Sequence, residues 1–159
     1  MRTYNNGPNL QTVLLATVAG MRTMAAPAIV SYMLSRNNNN LLRHTRYNVV
    51  QTKGFATFFK VAAIAEIAGD KNPLAPNRIE FGGVAARSLS GALVGSAIYK
   101  QNNRKPIVGA LLGATVAVAA TYACFYLRKT LKERYKIADP VLGAIEDCIA
   151  IATGIAAIS

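Results

Sequence analysis

Acidic residues are scarce in this sequence: seven Asp and Glu stand against 18 Lys and Arg in 159 residues, a length with room for one domain. A soluble all-α domain scatters Lys and Glu at every third or fourth position to build a wet helix face, and seven carboxylates are too few for that. Histidine occurs once, as His44 in a polar loop with no partner at ligand spacing. The two cysteines, Cys124 and Cys148, both fall inside apolar segments and read as small buried hydrophobes, which excludes a disulfide framework or a metal pair. There is no phosphate-cradling glycine loop, no Cys and His metal set and no serine elbow, so no enzyme, cofactor or metal is indicated.

Long uncharged runs are what the sequence does have. From Thr12 to Leu34 the only charge is Arg22, and from Ile107 to Leu127 there is none. As a helix each run is about 30 Å or more, enough to cross a hydrocarbon core. Three further apolar segments, 54–69, 82–99 and 137–159, are shorter or more polar. The expected architecture is therefore all-α: a polytopic integral membrane bundle of about five hydrophobic segments, 12–34, 54–69, 82–99, 106–127 and 137–159, some broken or re-entrant, because backbone groups in lipid must be satisfied within the segment. The first segment is too long for a signal-peptide core and is expected to be retained.

Residues 1–159 read as a single membrane domain containing one long polar, basic connector at 36–53. Pro106 is placed as a first helical residue after the turn "QNNRKP", and "RKTLKERYKIADP" extends the fourth helix until Asp139 and Pro140 start a new one. The basic flanks explain the net charge of +11 by a membrane surface better than by nucleic acid. If all five segments cross, one side holds Arg36, Arg43, Arg46, Lys53, Lys100, Arg104 and Lys105. The other holds Arg2, Lys71, Arg78, Arg128, Lys129, Lys132, Arg134 and Lys136. Seven against eight is no bias, so the positive-inside rule does not orient the chain. Either one segment is broken and turns back, or the protein inserts both ways as an antiparallel pair.

Gly91 and Gly95 are four apart, as are Gly109 and Gly113, with Ala117 and Thr121 continuing the line. Small residues at that interval let helices approach closely in lipid, within a chain or between chains of a homo-oligomer. Charges inside the apolar segments form a second set. Arg22 lies between Gly20 and Pro27, and Pro27 is expected to kink the first helix and free a carbonyl near it. Glu66 and Asp70 share a helix face, and Arg87 reaches them if the second and third segments pack as a hairpin. Asp139, Gly143 and Asp147 form another line. Glu146 and Asp147 are adjacent, so one of them is expected to pair with Arg22 or Arg87 or to take up a proton. The stretch "GDKNPLAPN", with Lys71 and Pro73, reads either as a broken-helix elbow or as a wet loop.

In that order, "GMRTMAAPAIVS", "EIAGDKNPLAPNR", "ARSLSGALVG" and "DPVLGAIEDCIAI" resemble the bacterial membrane family known as domain of unknown function 4126. The resemblance covers about four of the five segments and rests on Gly20, Arg22, Pro27, Glu66, Asp70, Lys71, Pro73, Arg87, Gly91, Asp139, Pro140, Glu146 and Asp147. It implies a small polytopic protein of the bacterial cytoplasmic (inner) membrane, and no particular activity. The residues themselves favour a transporter or channel for a small anion or a phosphate-bearing substrate. In this reading Arg22 and Arg87 hold the anion and one of Glu66, Asp70, Glu146 and Asp147 exchanges a proton, with Lys71 and Asp139 as further candidates. The alternative is a structural or accessory subunit that packs through its small-residue faces. An intramembrane enzyme acting on lipid phosphate would need a nucleophile or metal at the polar cluster.

Overall fold

The computed structural model of the chain describes residues 7–37, 42, 45–69, 80–136 and 139–158. These form six α-helices: α1 (Pro8–Met21), α2 (Ala25–Asn37), α3 (Lys53–Gly69), α4 (Phe81–Gln101), α5 (Pro106–Tyr135) and α6 (Asp139–Ile158). A short 3₁₀ helix, Arg46–Gln51, precedes α3. Local chemistry sets several ends. Pro8 and Pro106 each open a helix, where the missing N–H costs nothing. α5 runs through the basic link to Tyr135 and stops at Lys136, whose left-handed backbone (φ 50°) returns its N–H to the Lys132 carbonyl at 3.1 Å.

The expected first span, 12–34, is not one helix. It is two, α1 of 14 residues and α2 of 13, separated at Arg22, Thr23 and Met24. The break precedes Pro27, which occupies the first turn of α2, a position that tolerates proline; it does not kink a continuous helix. The two helices fold back on each other. Gln11, near the start of α1, places its Nε2 3.6 Å from Met33 Sδ near the end of α2, and in a straight segment those residues would lie more than about 30 Å apart. The end of α6 fills the mouth of this V. Gln11 also donates to the Ala157 carbonyl at 3.0 Å, and a Cβ on Gly154 would meet Ile29 Cδ1 at 2.5 Å.

α3 lies along α2, while α4 and α5 form the closest helix pair and both pack on α1. The α4–α5 seam is made by the four glycines. A Cβ on Gly95 would collide with the Gly109 carbonyl and one on Gly109 with the Gly95 carbonyl, and Gly91 and Gly113 meet in the same reciprocal way. The seam is therefore within the chain. Among the described residues α3 and α4 are not paired as a hairpin, the arrangement under which Arg87 was expected to reach Glu66 and Asp70, and Asp70 lies outside the described residues.

Within the connector, Leu42 and Val50 are buried in the core, so 36–53 contributes apolar side chains to it and is not only a polar linker. The core also holds Leu15, Val18, Val30, Leu34, Val94 and Ile98, together with polar Gln11, Thr12, Arg22, Arg87 and Thr121. Conversely, Phe58, Val61 and Ile64 of α3, Leu111 of α5 and Ile151 and Ile155 of α6 point outward. Cys148 belongs to this outer face and not to the core where it was expected; Cys124 is half-buried, and the two form no disulfide.

Candidate functional site: a polar cluster at a helix break

Interrupting a helix orphans carbonyls on one side of the gap and N–H groups on the other, and buried groups of this kind need partners. Arg22 adopts extended backbone (φ −134°, ψ 110°) with its N–H still donating to the Val18 carbonyl at 2.7 Å. Three other helices supply further partners. Glu66 of α3 straddles the start of α2: its Oε1 accepts from the Thr23 N–H and its Oε2 from the Met24 N–H, each at 2.8 Å. Ser90 of α4 donates to the Thr23 carbonyl at 2.6 Å. Thr121 of α5 donates to the Gly20 carbonyl at 3.2 Å and to the Ala117 carbonyl at 2.8 Å. The Glu66 carboxylate also meets the positive end of the α2 dipole, an attraction worth about 0.3–2 kcal/mol depending on burial.

The side chain of Arg22 turns to the remaining helix. Its Nε donates to Asp147 Oδ1 of α6 at 2.6 Å, with side-chain exposures of 6% and 25%. Glu146 points elsewhere, since successive helical residues fan about 100° apart. Its Oε2 lies 3.7 Å from an Arg128 terminal nitrogen on α5. Both adjacent carboxylates therefore face an arginine, and different ones. Arg87, one turn before Ser90 on α4, is buried.

The break therefore gathers Arg22, Glu66 and Asp147, with Arg87 one turn from its Ser90 contact and Glu146 beside Asp147. Gly20 is not part of the gap; it lies inside α1, where a Cβ would come within 2.5 Å of the Ala117 carbonyl oxygen. Asp139 and Pro140 open α6. Asp70, Lys71 and Pro73 lie outside the described residues. Among the described residues no three His, Cys, Asp or Glu side chains gather as a metal centre would require.

Five contributors escaped the reading of the sequence: the Thr23 and Met24 amides, Ser90, Thr121 and Arg128. Two carried a signal. Ser90 follows Arg87 by three, which places both on one helix face, and Thr121 ends the line of small residues begun at Gly109.

The fold is that of an all-α protein with two helices, Phe81–Gln101 and Pro106–Arg134, long and apolar enough to cross a membrane. The chain belongs to the family described as a domain of unknown function (DUF4126), whose pattern it matches over residues 10–159. No curated protein and no solved structure matches it.

Proposed function

We propose that the chain is a polytopic integral membrane protein of the cytoplasmic membrane that passes a small anion, free or phosphate-bearing, through the break between α1 and α2. The membrane part of this reading is supported by where polarity lies, with polar and ionic Arg22, Arg87, Gln11 and Thr121 buried and apolar Phe58, Val61, Ile64, Leu111 and Ile151 exposed. Intramembrane ionic residues cost at least about 3 kcal/mol each and are kept where they work or pair.

The transport part is carried by one observation: Glu66 rests its carboxylate on the exposed amides at the start of a half-helix. That is the seat an anion would take in a broken-helix carrier, so a protein carboxylate occupies it in this state. Protonation of Glu66 would weaken both contacts and release the seat, with Arg22 and Arg87 as the neighbouring cations and Asp147 as the counter-ion of Arg22.

The test is uptake of labelled phosphate and of chloride into vesicles reconstituted with the purified chain, with and without Glu66→Gln and the paired change Arg22→Gln with Asp147→Asn. Anion flux that these changes abolish while the helical content is kept supports transport. A second reading is favoured by the same bonds. Because the Thr23 and Met24 amides and the Thr23 carbonyl already have protein partners, the cluster serves equally to lock helix positions in an accessory subunit. That reading expects no flux from the unaltered chain, and loss of abundance or assembly in the variants.

A further inference from the structure

α5 is longer than a membrane needs. Its 30 residues extend about 45 Å, against about 30 Å for a hydrocarbon core and roughly 40–45 Å with the headgroups included. The uncharged run Ile107–Leu127 fills the hydrocarbon length, so Arg128 stands where the helix leaves it. Aromatic rings mark the same level. Tyr122 and Tyr126 are exposed, and Tyr126 meets Phe125 edge-on with ring centroids 5.5 Å apart. Tyrosine concentrates at this depth because its ring is apolar and its hydroxyl prefers water.

Beyond that level the helix is basic. Residues 128–136 hold Arg128, Lys129, Lys132, Arg134 and Lys136 against a single acid, Glu133. Arg128, Lys129 and Lys132 fall within about 100° of one another around the helix axis. They form one cationic face, on which Lys129 and Lys132 are exposed. Helical side chains lean toward the N-terminus of their helix, here back toward the apolar run. Lys132, about 6 Å further along than Arg128, therefore returns its ammonium to the same layer.

The same lean carries Arg128 to α6. A terminal nitrogen lies 3.7 Å from Glu146 Oε2, and the side chains are 27% and 10% exposed. Charge-assisted hydrogen bonds are about 2.7–2.9 Å, so this contact is loose, and the arginine is its more open partner. The pair at the break is the opposite case: Arg22 is buried and 2.6 Å from Asp147. A phosphate arriving in the headgroup layer meets the guanidinium of Arg128 and not that of Arg22.

We propose, resting on the membrane reading, that the end of α5 is a binding site for the headgroup of an anionic phospholipid. Arg128 takes the phosphate in competition with Glu146, through the planar fork that suits it. Lys129 and Lys132 supply the further positive charge that favours an anionic over a zwitterionic headgroup.

The test uses the full chain purified in a nonionic detergent, titrated with dioctanoylphosphatidylglycerol or dioctanoylphosphatidylcholine and read by native mass measurement. The phosphatidylglycerol should bind more tightly. Lys129→Gln and Lys132→Gln, both at exposed positions that leave the fold intact, should each weaken it about fivefold and leave the phosphatidylcholine unchanged. Glu146→Gln should tighten it by removing the competitor, and Arg128→Gln should abolish both the preference and the effect of Glu146→Gln. Lys105→Gln, at the opposite end of α5, should change nothing. Equal binding of the two lipids by a chain that needs detergent to stay dissolved overturns the site and leaves the membrane reading standing. An equal loss in Lys105→Gln also overturns it, since the attraction is then diffuse. So does displacement of the lipid by inorganic phosphate or by polyuridylate, which assigns the face to a free anion or to nucleic acid. A chain that stays dissolved without detergent removes the membrane reading, and the site with it.

Discussion

Arg22 and Asp147 illustrate how one residue's surroundings set the effect of its loss. The guanidinium is buried and its partner is 2.6 Å away, so removing the charge from one leaves the other exposed to a low dielectric. Breaking such a pair from one side typically costs about 3–5 kcal/mol. Arg22→Gln is therefore expected to lower the thermal midpoint in detergent strongly, and Arg22→Gln with Asp147→Asn together to recover most of the loss; a double-mutant cycle showing additivity would contradict the pairing. Glu66 differs, because it accepts from backbone and not from a side chain. Glu66→Gln turns one accepting oxygen into a donor facing an N–H. The expected loss is about 1.5–3 kcal/mol, the usual worth of hydrogen bonds to a charged group, read from the same melting curves.

At the scale of elements, the helical glycines are not equivalent to one another. Gly113 abuts the Gly91 carbonyl, and no side-chain rotation can yield there because the obstacle is backbone. Gly113→Ala should separate α4 from α5 and cost at least about 1–3 kcal/mol, the scale of overpacking. Gly143 in α6 has nothing within 4 Å of where its Cβ would be. There Gly143→Ala should stabilise by about 0.5–1 kcal/mol, because the helix interior gains a less flexible residue without a clash. Opposite shifts in the midpoint for the same chemical change would confirm that the seam is set by contact and not by composition.

For the whole molecule, buried ionic residues beneath an exterior rich in exposed apolar side chains lead to a simple expectation: the chain should pellet with membranes, resist alkaline extraction and require detergent to dissolve. Release into the aqueous fraction by alkali alone would contradict an integral position.

Helical content, the proline starts at Pro106 and near Pro140, the run of α5 into the basic link and the presence of Arg22, Glu66 and Asp147 as charges needing partners were legible from the sequence. Each depends on local pattern: apolar length, the missing N–H of proline, or a charge among greasy neighbours. The division of 12–34 was not legible, because Arg22, Thr23 and Met24 are ordinary helix residues, and the nearby proline that suggested a kink sits harmlessly in the next helix. What decided the break lies 43 and 67 residues away, in the carboxylate of Glu66 and the hydroxyl of Ser90 that satisfy its backbone. The ionic partners were likewise settled by packing, which turned Arg22 to Asp147 and gave Glu146 an arginine from the basic extension of α5. Local sequence determines which segments coil and which charges must be satisfied; only the packed helices determine where a chain can stop coiling, because orphaned amides and carbonyls need partners that come from elsewhere in the fold.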